Sequence, residues 1–270
     1  MIYIPSQTFL MGTNDKKGFS EDYEGPVRTV HVPAYYIDAV TVTNASFATF
    51  IEDTGYQTDA EKFGWSFVFY MFVTETCRER AQQVQGAPWW LAIPQANWKQ
   101  PEGEGSSIDH RLDHPVTHVS WQDANAYCQW AKKRLPTEPE WELAARGGLT
   151  QKKFPWGNQL KLNGEHQCNI WQGSFPTHNT GSDGYIGTAP VQSYSPNGLG
   201  LYNVSGNVWE WCANAFEKEP SNNTLKAMRG GSYLCHRSYC NRYRVAARSA
   251  NTADSSTGNI GFRCVADVPS

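Results

Sequence analysis

The residues best equipped for chemistry lie in one stretch near the C-terminus, Gly230-Gly231-Ser232-Tyr233-Leu234-Cys235-His236-Arg237-Ser238-Tyr239-Cys240-Asn241-Arg242-Tyr243-Arg244. Cys235 and Cys240 are separated by four residues and surrounded by His236, Arg237, Arg242, Arg244 and Arg248, with no acid until Asp254. Cationic neighbours favour the thiolate, the form of cysteine that attacks, oxidises and binds metal. The spacing matches no standard zinc pairing. By itself it leaves three readings open: a short-loop disulfide, two buried thiols, or a reactive pair.

The elements that must position this stretch are irregular. Among 270 residues there are 11 Trp, 13 Tyr and 12 Phe beside 23 Gly and 15 Pro, which predicts packed aromatics and loops in place of long helices. The net charge of −3 argues against a nucleic-acid binder that works by bulk phosphate neutralisation. The apolar run at 67–73 is too short to cross a bilayer. No basic region and apolar stretch of signal-peptide type opens the sequence, so the expectation is a soluble, cytoplasmic, monomeric protein with no membrane partner. Seven cysteines, an odd number, make a fully bridged secreted scaffold a poor reading.

Extended segments are expected at 1–12 and 27–38. A helix should start after Thr43, bury Phe47, Phe50 and Ile51, and end before Gly55. Ser120-x-x-Asp123 and Thr137-x-x-Glu140 each read as a capping box opening a helix, the second closed by Gly147-Gly148. Beyond residue 150 Gly, Asn and Pro punctuation takes over. No repeat or linker divides the chain, which is read as one α+β domain over residues 1–270 with a loop-rich second half. His110, His114 and His118 fall at helical spacing, but Pro115 breaks such a helix and 116–119 reads as a strand approach, so an iron site is rejected. Trp121, Trp130, Trp141 and Trp156 are expected in the core, and Cys77, Cys168 and Cys212 are expected to be ordinary thiols.

Several motifs closely resemble the formylglycine-generating enzymes, or sulfatase-modifying factors. They are the Gly230–Cys240 stretch, Ile260-Gly261-Phe262-Arg263-Cys264, His114-Pro115-Val116-x-His118-Val119-Ser120-Trp121, Arg134-Leu135-Pro136-Thr137-Glu138 and Gly200-Leu201-Tyr202-Asn203-x-x-Gly206-Asn207-x-Trp209-Glu210-Trp211. The resemblance covers nearly the whole chain and implies a loop-rich, C-type-lectin-like fold. It implies an oxidase that turns the cysteine of a C-x-P-x-R motif, in an unfolded sulfatase polypeptide, into Cα-formylglycine with O2 as co-substrate. Cys235 and Cys240 would hold Cu(I), the soft ion that sulfur ligands select, with the substrate thiol as a third sulfur. Ser232 and Trp209 would line the oxygen pocket. Trp89, Trp90, His236 and Tyr239 would flank a groove for an extended peptide, with Ser256 and Asn259 bonding its backbone. Trp65 stands where some relatives carry an acidic residue.

The same resemblance implies two calcium sites, one from Asn169, Ile170, Asp183 and Tyr185 and one from Asn203, Gly206, Val208 and Glu210. Calcium accepts side-chain and carbonyl oxygens in flexible geometry, so loops can cage it; the alternative is that Asp183 and Asn203 make Asx turns. Cys128 and Cys264 match a pair bridged in secreted relatives, with two buried thiols as the other reading. Ala145 and Val245 occupy the places of a further bridge. Two other function classes stay open: a non-catalytic binding module on the same fold, and a metal-free thiol–disulfide enzyme using Cys235 and Cys240.

Overall fold

The computed structural model describes residues 1–216 and 225–269. The three helices read from their caps form as expected, because capping is local chemistry. Thr43 accepts the Ser46 N–H and Gly55 adopts φ 63° at the two ends of Asn44–Thr54. Both capping boxes are complete, on Trp121–Trp130 and on Glu138–Ala145. A further capped helix, Asp59–Phe63, opens with a third box, Thr58 with Glu61. Phe47 and Phe50 are buried, and Ile51 packs against the core from a half-buried position.

The two long extended segments are each broken. Residues 1–12 give strands Ile2–Ile4 and Gln7–Met11, and 27–38 gives Arg28–Val32 and Tyr35–Ile37. Prolines at 5 and 33 stand at the breaks, where a missing N–H ends the ladder. Tyr35–Ile37 lies between Ile2–Ile4 and Val265–Asp267, which joins the two ends of the chain. The strand approach expected after Pro115 reduces to a single bridge between Thr43 and Pro115, and no helix carries His110, His114 and His118.

A four-stranded sheet carries the C-terminal chemistry, in the order Arg248–Thr252, Leu225–Arg229, Trp209–Ala215, Ile260–Gly261. Its last pair is parallel, with Trp209 opposite Ile260. A second sheet sets Ala87–Pro94 between Trp65–Phe69 and Gln82–Val84. A bridge from Phe67 to Thr257 ties this sheet to the loop that precedes Ile260.

Buried ion pairs lock these layers. Glu210 is paired with Arg263 at 2.6 and 2.8 Å and accepts the Trp141 indole N–H at 2.6 Å. Glu142 takes Arg146, Arg229 and the Gly12 N–H. Of the tryptophans assigned to the core, only Trp141 is fully buried; Trp121, Trp130 and Trp156 are half-buried covers over it. Their indole N–H groups explain part of this, since Trp121 and Trp156 each reach a backbone carbonyl, of Cys212 and Gln159. No helix among the described residues is long and apolar enough to cross a membrane.

Candidate functional site

The loop between the two cysteines is closed by backbone: the His236 carbonyl accepts the Cys240 N–H at 2.7 Å and the Tyr239 N–H at 2.9 Å. The Ser232 carbonyl accepts the Cys235 N–H at 2.9 Å. This winding sets the two side chains side by side in one cavity lining, where each sulfur affects the ionisation of the other. The neighbouring Cys235 thiol, together with the Arg242 guanidinium and N–H, holds Cys240 below the ordinary thiol range in spite of its burial. Burial pushes Cys235 well up, and the neighbouring Cys240 sulfur adds to this. When no metal shares them the two cysteines are unequal, Cys240 being the more readily ionised.

The many arginines act differently from their sequence reading. Arg244 is clamped by Glu24 at 2.5 and 2.6 Å, and Arg248 by Glu138 at 2.6 and 2.7 Å. Both are structural. Arg242 is paired with Asp22 at 2.5 and 3.0 Å and still reaches the Cys240 sulfur.

The cysteines sit at the floor of a cavity of about 230 Å3. Trp89, Trp209, Ser232, Tyr239 and Asn259 line it, as expected, and so does Trp90. Two expected substrate residues do not. His236 bonds the Ser238 hydroxyl at 2.8 Å, and Ser256 turns to the buried Ser66 hydroxyl at 2.7 Å. Phe175, Met228 and Thr257 also line the cavity and were missed. Phe175 stacks on Tyr239 with centroids 4.3 Å apart and planes 5° apart, and Trp89 meets both rings edge-on. This is an aromatic rim. Phe175 lies in a loop with no periodicity, so nothing in its neighbourhood marked it.

Cys128 and Cys264 stand as contacting thiols, with their sulfurs 3.5 Å apart. Cys77, Cys168 and Cys212 are buried, and burial raises Cys168 and Cys212.

Residues 1–268 match the family model described as the sulfatase-modifying factor enzyme 1-like domain. The chain belongs to the formylglycine-generating enzyme family. It is 56% identical to the formylglycine-generating enzyme of Thermomonospora curvata, over 99% of this chain and 93% of that one. It is 53% identical to that of Bos taurus, over 99% of this chain and 74% of that protein. The structure of PvdO from Pseudomonas aeruginosa has the same fold, with a TM-score of 0.69 at 22% identity over 98% and 93% of the two chains. The architecture is the α+β, C-type-lectin-like one of this family, poor in regular structure.

Two cysteine sulfurs in one cavity lining, one of them held below the ordinary thiol range, suit a soft monovalent ion, so the residues present fit Cu(I). The first calcium set is already hydrogen-bonded within the protein. Asp183 Oδ2 accepts the Ile170 N–H at 2.9 Å and the Gln172 amide at 3.2 Å, its Oδ1 accepts the Tyr185 N–H at 3.4 Å as in an Asx turn, and the Ile170 carbonyl accepts the Gln172 amide at 3.0 Å. The Asn169 amide spends its N–H groups on Gly187 and Asn207. A calcium ion there would have to displace these donors. The second set divides: Asn203 Oδ1 is buried with no partner, as a missing ligand would leave it, but Glu210 is already neutralised by Arg263. Among the described residues no group of three or more His, Cys, Asp or Glu converges, so either cage would rely on amide and carbonyl oxygens.

Proposed function

We propose that this chain oxidises the cysteine of a C-x-P-x-R segment in an unfolded sulfatase-type polypeptide to Cα-formylglycine, with O2 and with Cu(I) held by Cys235 and Cys240. The observation that carries this reading is the placement of Cys235 and Cys240 together in the lining of an aromatic-rimmed cavity. Bound there, Cu(I) would supply the redox chemistry. The residues supply the rest. Trp89, Phe175 and Tyr239 offer flat apolar faces to an extended peptide. Arg242 favours the ionised form of Cys240. Trp209 and Ser232 line the cavity beside Cys235.

The net change is balanced when a reductant gives two electrons. The thiol-bearing carbon becomes a thioaldehyde as O2 goes to two waters, and hydrolysis then gives the aldehyde and sulfide. The contacting free thiols Cys128 and Cys264 suit a reducing, cytoplasmic setting. Calcium at Asn169, Ile170, Asp183 and Tyr185 would staple a loop region, and so would a second ion at Asn203, Gly206, Val208 and Glu210.

The deciding experiment incubates the protein with a C-x-P-x-R peptide, O2, a thiol reductant and Cu(I), and follows the peptide by mass spectrometry. Thiol-to-aldehyde conversion should be seen, and should vanish together with Cu(I) uptake in Cys235→Ser and Cys240→Ser. Full conversion by either variant ends this account. Turnover of model disulfides that ignores a copper chelator would favour a thiol–disulfide enzyme instead.

A further inference from the structure

The loop after Ser256 carries two polar side chains, Thr257 and Asn259, in a hydrogen-bonded line that ends at Ser232 beside Cys235. Thr257 Oγ1 donates to Asn259 Oδ1 at 2.5 Å, and Asn259 Nδ2 donates to Ser232 Oγ at 2.9 Å. All three residues line the cavity and are at most 7% exposed. Ser232 is tied to Cys235 in turn, through its own N–H to the sulfur at 3.4 Å and its carbonyl to the Cys235 N–H at 2.9 Å.

The direction of this line is fixed at its far end. Thr257 Oγ1 lies 3.5 Å from the Asn259 backbone N–H, which donates to it, so its own proton is free for Asn259. A separation of 2.5 Å belongs to an O–H···O bond and is too short for an amide nitrogen. The Asn259 amide oxygen therefore faces Thr257 and its NH2 faces Ser232. Were the amide turned over, Asn259 would consume the Ser232 proton. As it stands, the Ser232 oxygen accepts from Asn259 Nδ2 and from the Leu234 N–H at 3.3 Å. A serine hydroxyl has two lone pairs and one proton. With both lone pairs engaged, the proton is left for the cavity.

We propose that Thr257 is a positioning residue which, by orienting the Asn259 amide, holds Ser232 as a hydrogen-bond donor toward Cys235 and whatever reacts beside it. The proposal rests on the oxidase reading for its kinetic consequence but not for its geometry. A donor at that place stabilises negative charge that grows on sulfur or oxygen during the reaction and does little for peptide binding.

The test compares Thr257→Val, which has the same shape without the hydroxyl, with Thr257→Ser, which restores the donor. With the copper-loaded protein and saturating O2, Thr257→Val should lower kcat roughly tenfold, as loss of one oriented bond does, with the peptide KM within about twofold of wild type. Thr257→Ser should recover most of the rate. Ser232→Ala and Ser232→Ala/Thr257→Val should be equally slow, since Thr257 acts only through Ser232. In the metal-free protein, NMR of the Asn259 side-chain amide should show resonances that move in Thr257→Val and return in Thr257→Ser. An additive loss in the double variant, a KM effect with kcat intact, or amide resonances indifferent to Thr257→Val each overturns the proposal. If wild type converts no peptide at all, the oxidase reading fails, and the amide resonances still decide the orientation.

Discussion

Cys235 and Cys240 line the same cavity, and their surroundings make the two neighbouring cysteines chemically unequal. Cys240 gains a neighbouring thiol in Cys235 and a cation in Arg242, and both favour its ionised form. Cys235 gains burial and a neighbouring anion, and both oppose ionisation. In the metal-free protein Cys240 should ionise first as pH rises. Iodoacetamide should therefore modify Cys240 before Cys235, as read by peptide mapping. Arg242→Gln should move the midpoint of Cys240 labelling to higher pH. Cys235 reacting first, or a midpoint unmoved by Arg242→Gln, would show that the asymmetry is wrong.

The rim makes a separate prediction. Tyr239 stacks on Phe175, meets Trp89 edge-on and is still 39% exposed at the cavity mouth. Two aromatic contacts of about 0.5–1.5 kcal/mol each would be lost within the folded protein in Tyr239→Ala, so the melting temperature should fall by a few degrees. Removing the ring from the cavity mouth should also raise the peptide KM, roughly tenfold. Tyr239→Phe keeps the ring and should stay near wild type. A large loss in Tyr239→Phe would place the weight on the hydroxyl.

Calcium can be checked without any turnover. The acceptors gathered around Asp183 should give saturable binding in an equilibrium calcium titration of chelator-treated protein, with a rise in melting temperature. Asp183→Asn removes the only carboxylate of that set and should weaken binding at least tenfold, in line with the role of ligand charge. Binding untouched by this change would locate the ion elsewhere.

What the sequence revealed, and what it hid, divides by distance along the chain. The caps at Thr43, Ser120 and Thr137 were legible because each bonds a partner three residues on. The cysteine pair was legible because its loop is closed by its own backbone. The arginine cluster misled: its counter-ions Asp22, Glu24 and Glu138 come from more than 100 residues away, and only tertiary structure shows that Arg242 alone stays engaged with sulfur. Thr257 was equally hidden, since its value lies in the amide it orients. Ser256 and His236 were named by resemblance, yet their side chains bond Ser66 and Ser238 outside the cavity lining.

His118 offers a test of the fold beneath the site, with its sign fixed in advance. Its ring is fully buried, its Nδ1 lies 2.8 Å from Ser66 Oγ, and its backbone N–H donates to the Thr257 carbonyl at 3.0 Å. Burial drives its pKa from 6.5 down to about 4; Arg111 pushes the same way, while Glu102 and the Pro101 carbonyl oppose this less strongly. Between pH 4 and 6.5 the unfolded chain therefore binds a proton that the folded one refuses. Stability is complete above about pH 6.5 and falls as the pH drops through that window, because the unfolded state gains protons there. The loss from pH 8 to pH 5 should be about 2 kcal/mol from this residue alone. In His118→Asn that component is absent, so the stability gap to wild type should narrow by about that amount on acidification. Urea unfolding at pH 8, 6 and 5 measures it. A gap that stays constant would mean that the buried ring takes up a proton as readily as a free one, and that the wall behind Thr257 is wetter than its packing implies.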